Sequence, residues 1–216
     1  MKIKAILFDM DGTLVDSERY YTDGTYRWMQ RVGYKGSKEA IYPIIGTTLP
    51  MTYAIIHKLL DGRLSVEEIE KMNDDYFMKE DVIDYREYIF PEVKGVIRSL
   101  RDKGYKMALC SSSLKMDILR FIKENELDDC FDFVISGYEC NESKPSPEIY
   151  LLALSHLKVS NDEAIVVEDS THGIEAGKRA HMYTFARKDT RFNIDQSEAD
   201  ILIDDIGELL NILGEK

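Results

Sequence analysis

Cysteine is scarce in this chain: Cys110, Cys130 and Cys140 are the only three in 216 residues, and none pairs in a C-x-x-C spacing. That pattern excludes a zinc knot or a dithiol couple and suits a reducing, cytoplasmic setting in which the thiols are buried or idle. Histidine is scarce too, and His57, His156, His172 and His181 stand at no metal-ligand spacing. Basic residues fall short of acidic ones, 28 Lys and Arg against 40 Asp and Glu, for a formal net charge of -12. Such a balance argues against nucleic acid or an anionic membrane as the main partner, since both need a clustered positive face. No apolar run approaches the ~20 residues of a membrane helix. The opening Met1-Lys2-Ile3-Lys4 leads straight into a short apolar strand and not into a signal-peptide pattern. Internal repeats and low-complexity tracts are absent. With 44% hydrophobic residues the chain can build one good-sized core, or a core plus a small second unit. A small anionic substrate would have to be met by a local positive site.

What is present begins at Ala5-Ile6-Leu7-Phe8-Asp9-Met10-Asp11-Gly12-Thr13-Leu14. Ile3 to Phe8 is apolar enough for a strand buried on both faces of a parallel sheet, and Gly12 breaks the extended run. Asp9 and Asp11 therefore stand at a strand's carboxyl end. Positions i and i+2 of an extended segment point to the same side, so the two acids face one small volume and repel unless a cation or proton intervenes. A bound Mg²⁺ is the simplest remedy. The same string could form a surface turn. A calcium loop fits poorly, because its Gly belongs at the sixth position and Gly12 is fourth, with no Glu at the twelfth.

From about Asp16 to Phe90 the pattern is helical, with Leu59, Leu60, Ile69, Met72, Tyr76 and Phe77 at roughly helical intervals and breaks at Gly33 to Ser37, Tyr42 to Pro50 and Asp61 to Ser65. It reads as a bundle of four or so helices without a strand, its Trp28 in the core, and Asp16 or Ser17 capping the first helix. After Pro91 strands and helices alternate. Helices are expected at Val93 to Lys103, Leu114 to Asn125, Pro147 to Leu157, Thr171 to His181 and Ile206 to Leu213. Strands are expected at Tyr105 to Cys110, Phe133 to Ser136, Ala164 to Val167, Met182 to Phe185 and Ile201 to Ile203. This predicts an α/β fold: a doubly wound parallel sheet with an inserted α-helical domain, the core spanning 1–15 and 91–216 and the insertion 16–90.

In doubly wound sheets ligands bind beyond the carboxyl ends of the strands, and the residues there are polar. Ser111, Ser112 and Ser113 follow one strand, Glu168 and Asp169 another, and Lys144-Pro145-Ser146-Pro147 lies on the loop after a third. The serines taken alone would be a helix cap. Lys144 taken alone would be a surface lysine, though Pro145 and Pro147 stiffen the chain around it. Glu168-Asp169 repeats the acid pair after an apolar strand. Acids, a lysine and a hydroxyl converging on one edge make a site for Mg²⁺ and a phosphoryl group. Gly173 and Gly177, inside an expected helix, are read as permitting close helix packing and not as a phosphate cradle.

Taken in order, Asp9-Met10-Asp11-Gly12-Thr13-Leu14, Ser111, Lys144-Pro145-Ser146-Pro147-Glu148 and Glu168-Asp169-Ser170 resemble the motifs of the haloacid dehalogenase superfamily. The resemblance spans the chain and lies with the phosphatases and phosphomutases that carry a helical cap after the first strand of a Rossmann-like core. Asp169-Ser170-Thr171-His172-Gly173-Ile174-Glu175-Ala176-Gly177 is similar to the beta-phosphoglucomutase-like subgroup. The likeness implies Asp9 as the nucleophile and Asp11 as the acid that protonates the leaving oxygen and later activates water. It implies Mg²⁺ held by the Asp9 carboxylate, the Asp11 carbonyl and Asp169, with Glu168 behind them or on a metal-bound water. Ser111, Ser112 and Lys144 would hold the phosphoryl oxygens, with main-chain N–H groups around Met10, Asp11 and Ser112 helping.

Mutases of that subgroup carry a histidine early in the first cap helix and a phosphate-gripping arginine after a glycine; Tyr21 and Leu49 stand at those places, with Arg19 and Arg27 the nearest basic residues in the helix. The expected activity is therefore hydrolysis of a small phosphorylated metabolite, a sugar phosphate foremost, with the phosphomutase as alternative. Tyr20, Tyr21, Thr47 and the loop Tyr42 to Met51 are candidates for substrate selection, or else packing between cap helices. A signalling receiver would not need Asp11 or so large an insertion, and a metal-free dehalogenase lacks the second Asp. A dead binding module would not keep every motif residue. The protein is expected to act as a monomer or weak dimer.

Overall fold

Ala5–Phe8 forms strand β1, and its four side chains are all buried, as a strand covered on both faces requires. The computed structural model describes residues 3–45, 49–80, 82–191 and 194–214. After β1 come helices α1 (Ser17–Arg31), α2 (Leu49–Leu59), α3 (Val66–Asp75), α4 (Tyr85–Tyr88) and α5 (Val93–Asp102). The chain then alternates through β2 (Lys106–Ser111), α6 (Lys115–Glu124), β3 (Phe133–Ser136), α7 (Glu148–Leu157), β4 (Ala164–Glu168), α8 (Thr171–Arg179), β5 (Tyr183–Arg187), β6 (Ile201–Ile203) and α9 (Glu208–Ile212). The strands pair in parallel in the order β3-β2-β1-β4-β5-β6. Winding reverses between β1 and β4, so the crevice of this doubly wound sheet opens at the carboxyl ends of the central strands.

Side chains alternate across the sheet. Ala5, Leu7, Ala108, Cys110, Ala164 and Val166 face a core completed by Ile149, Tyr150, Ala153, Leu154 and Leu157 of α7 and by Ala176 of α8. Ile6, Phe8, Met107, Leu109, Ile165 and Val167 bury the opposite face. Asp132, just before β3, fastens the β2 end of this core: its carboxylate accepts the Met107 N–H at 2.9 Å and Arg101 Nη1 at 2.8 Å. Burial works against its charge, but Arg101 and the Met107 N–H outweigh it and hold the carboxyl below its ordinary range. A carboxyl depressed by folding stabilises above its unfolded pKa of ~3.9 and loses that contribution as pH falls through the folded value. Asp132→Asn is expected to cost about 1 kcal/mol in urea unfolding at pH 7. The gap should narrow at pH 3.5, and an equal gap at both values would contradict this account.

The chain divides into two compact units, residues up to 16 together with 85 onward, and 17–84. Two stretches assigned to the insertion by sequence, Asp16 and 85–90, lie in the sheet unit. Tyr85 sets its ring edge-on to Phe121 at 5.8 Å, under Arg120, and its carbonyl accepts Asn125 Nδ2 at 3.4 Å. The Asp16 N–H bonds the Tyr88 carbonyl and the Phe90 N–H the Leu14 carbonyl, so the two connecting stretches pair with each other. Helical periodicity reports that a face is buried and not which core buries it.

In the 17–84 unit, Trp28, Met29, Tyr53, Ile56, Leu60, Ile69 and Tyr76 form a separate core. Ser65 and Glu68 close a reciprocal cap on α3. The expected break at Tyr42 to Pro50 is partly helical: Glu39–Ile44 is a 3₁₀ turn, and Leu49 opens α2. No described helix is long and apolar enough to cross a membrane.

Candidate active site

Parallel register brings Phe8 level with Leu109 on β2 and Val167 on β4, and Asp9 continues the ladder through its N–H to the Val167 carbonyl at 2.9 Å. The next residue on each central strand thus enters one small volume at the sheet's carboxyl edge. Lys144 reaches it from the β3–α7 loop. Its Nζ donates to Asp9 Oδ1 at 2.6 Å, Glu168 Oε1 at 2.7 Å and the Cys110 carbonyl at 3.0 Å, and lies over the Tyr150 ring.

Glu168 is fully buried and surrounded by donors. Oε1 accepts Lys144 and the Tyr150 hydroxyl at 2.7 Å, while Oε2 accepts the N–H groups of Asp169 and Ser170 and the Ser170 hydroxyl. Those five donors exceed the roughly four lone-pair sites of a carboxylate. Gly173 makes room for it, because a Cβ there would fall 1.8 Å from Glu168 Oε1. Gly177 is the close-packing position, against Thr184 and Val166. Gly12, at φ +78°, plays a matching part across the pocket: its turn lets Asp169 approach so closely that a Cβ would sit 2.0 Å from Asp169 Oδ2. Asp9, Glu168 and Asp169 each place a carboxylate oxygen within 4.8 Å of the others.

Three acids around one lysine are over-supplied with negative charge. Burial, then Glu168 and Asp11, push the Asp9 carboxyl well above its ordinary range despite Lys144. Asp169 rises likewise, through burial and then Glu168 and Asp9. Burial opposes the Glu168 charge too, but Lys144, Tyr150 and the Asp169 N–H keep that carboxyl low.

The Asp11 carboxylate turns toward the β2–α6 loop. Ser113 Oγ donates to Asp11 Oδ2 at 2.6 Å and Ser111 Oγ to the same atom at 3.3 Å. Asp9, Asp11, Ser111, Lys144, Glu168 and Asp169 thus converge, with the Asp11 carboxylate outside the three-acid cluster. Ser112 is exposed at the rim, its backbone against Gly137. Sequence reasoning missed Tyr150 and the bond from Ser113 to Asp11. A buried tyrosine hydroxyl demands an acceptor, yet nothing local names Glu168 as that acceptor. In the helical unit Tyr20 is buried against Tyr21 and Phe77, whereas Tyr21 is half exposed. Arg27 donates to the Tyr76 hydroxyl at 3.0 Å. Thr47 lies outside the described residues.

Known proteins share this framework. Pyrophosphatase PpaX of Listeria innocua is 30% identical over 224 aligned positions, 100% of this chain and 98% of its own. A phosphorylated carbohydrates phosphatase of Thermotoga maritima is 30% identical over 178, covering 82% of each. Among solved structures, a T. maritima protein provisionally named a beta-phosphoglucomutase matches with a TM-score of 0.79 at 27% identity, over 100% of this chain and 99% of that one. The family profile of haloacid dehalogenase-like hydrolases matches residues 6–187, the stretch that carries Asp9, Ser111, Lys144 and Asp169, and the chain belongs to that family.

Proposed function

We propose that the protein is a cytoplasmic Mg²⁺-dependent phosphatase that hydrolyses small phosphomonoesters, sugar phosphates foremost, by way of a phosphoryl group carried on Asp9. The observation that carries this reading is the buried Asp9 carboxylate at 2.6 Å from Lys144 Nζ, with two further acids within 4.8 Å.

The donor set fits Mg²⁺, which prefers hard oxygen ligands and retains several waters. Asp9 and Asp169 would hold it together with the Asp11 carbonyl. Glu168, already saturated by its donors, would act through Asp169, whose N–H it accepts at 3.0 Å. Bound there, the ion would offset charge repulsion between a carboxylate and an anionic phosphate. Lys144 and the Ser111 hydroxyl would bind phosphoryl oxygens, with N–H groups at Met10, Asp11 and Ser112.

In the first step an Asp9 oxygen bonds to phosphorus as the bond to the leaving oxygen breaks, and the Asp11 carboxylic acid protonates that oxygen. In the second, the Asp11 carboxylate takes a proton from water, the water oxygen attacks phosphorus, and the bond to Asp9 breaks to release inorganic phosphate. Ser113, whose hydroxyl donates to Asp11 Oδ2 at 2.6 Å, would steady Asp11 between its two tasks.

The named relatives supply two competing readings, pyrophosphate as substrate and transfer between two positions of a sugar. A single panel separates them: phosphomonoesters, pyrophosphate, and beta-glucose 1-phosphate with its bisphosphate activator, each with Mg²⁺ and with chelator. Phosphate release from several sugar phosphates, abolished by chelator, is the expected result. A large preference for pyrophosphate would redirect the substrate assignment. Conversion to glucose 6-phosphate with little release would establish the mutase instead.

A further inference from the structure

Asp169 receives little direct guidance at its carboxylate: Thr13 Oγ1 stands 3.4 Å from Oδ1, beyond the usual length of a hydroxyl hydrogen bond. Its backbone is held much more firmly. The Asp169 N–H is taken by Glu168 Oε2 at 3.0 Å, and its carbonyl accepts Gln196 Nε2 at 2.6 Å. The same Gln196 nitrogen donates to the Arg187 carbonyl at 2.7 Å. Two carbonyl acceptors fix the amide's orientation, since only its NH₂ end can serve both.

The location explains why a side chain is needed. The β4–β5 register ends at Glu168 opposite Ala186. One residue later on each strand, the Asp169 and Arg187 carbonyls are bridged by Gln196, which arrives from the β5–β6 connection. Thr171 Oγ1 anchors that connection by donating to the Asp195 carbonyl at 2.8 Å. The Gln196 amide therefore closes the sheet edge where main-chain pairing stops, and with Glu168 it pins Asp169 on both sides of its Cα.

We infer that Gln196 is a positioning residue that fixes the Asp169 backbone, and through it the direction of the Asp169 carboxylate, for binding of a divalent cation. The inference rests on the Mg²⁺ reading of the site. Partners of this kind, one step removed from a ligand, typically change metal affinity by 10–100-fold when lost.

The test is a Mg²⁺ titration of the substrate-free protein by calorimetry, for wild type, Gln196→Ala and Gln196→Glu, alongside the Mg²⁺ concentration that half-saturates phosphate release. Gln196→Ala is expected to weaken Mg²⁺ binding about tenfold. Gln196→Glu should weaken it further, because a near-isosteric carboxylate would face two carbonyl oxygens with no proton to give. Raising Mg²⁺ should recover the lost activity in both, a response that a purely structural defect would not give. Unfolding in chelator, run in parallel, measures the structural part separately. Equal Mg²⁺ affinity in wild type and both variants overturns the inference while leaving the Mg²⁺ reading intact. No heat of binding and no Mg²⁺ requirement in the wild type would overturn the reading itself, and the inference with it.

Discussion

Replacing Asp9 with asparagine is expected to lower turnover by at least about 10⁴-fold, the scale seen when an attacking group is removed from an otherwise complete site. The amide keeps the shape of the carboxyl and an oxygen that can accept Lys144, but its oxygen is a poor nucleophile toward phosphorus. The fold should survive. Asp9 is buried, and its charged form is disfavoured by that burial and by Glu168 and Asp11, so a neutral side chain relieves repulsion in the metal-free protein. The Asp9→Asn unfolding temperature in chelator should accordingly match or exceed that of the wild type. Phosphate release on the best ester of the panel and a thermal melt by circular dichroism check both halves. Activity within about a hundredfold of wild type would remove Asp9 from the role of nucleophile.

The strands were readable because each is an apolar run ending in a polar residue or a turn. Phe133–Ser136 and Ile201–Ile203 fall where the sequence puts them, β4 runs one residue longer at its end, and β2 and β5 are shifted by one or two residues at both ends. The acids were readable for the same reason: a carboxylate directly after a strand buried on both faces has no ordinary structural task. Contacts made across long sequence separations were not readable. Tyr85 and Tyr88 belong to the sheet unit because Phe121 and Asn125 meet the Tyr85 segment there, and no property of the segment 85–90 says so. Tyr150 looks like any apolar position of an amphipathic helix until Glu168 stands opposite its hydroxyl. Gln196 carries no local signal at all, since its two acceptors are main-chain carbonyls of Asp169 and Arg187, which every residue possesses. The helical setting of Gly173 signals close packing but not that its neighbour is a carboxylate held by its own set of donors.

Lys144→Met should be the most destabilising change at the site, by about 3–5 kcal/mol in urea unfolding of the metal-free protein at pH 7. Methionine preserves the bulk of the stem, so packing over Tyr150 changes little. What disappears is the ammonium that touches three oxygens in a pocket where Lys144 and Asp9 side chains are 6% and 8% exposed and Glu168 is 0%. Burial pulls against the Lys144 charge, yet Asp9 and Glu168 hold its proton above the ordinary lysine range. The reciprocal dependence falls mainly on Glu168. Asp9 can avoid part of the cost by taking up a proton, whereas the donors around Glu168 are arranged for its ionised form. Phosphate release should fall by about 10²–10³-fold as well, through loss of a cation aimed at phosphoryl oxygens. Mg²⁺ should restore more of the stability than of the activity, since the ion can offset the charge of the acids but cannot supply the missing donor. The double variant Lys144→Met with Glu168→Gln isolates the cause. If the penalty is an uncompensated carboxylate, removing that charge together with its partner should recover a substantial part of the loss. If stability falls additively instead, the cost of losing Lys144 lies in its packing and its bond to the Cys110 carbonyl, and the charge pairing at the heart of the site is worth little.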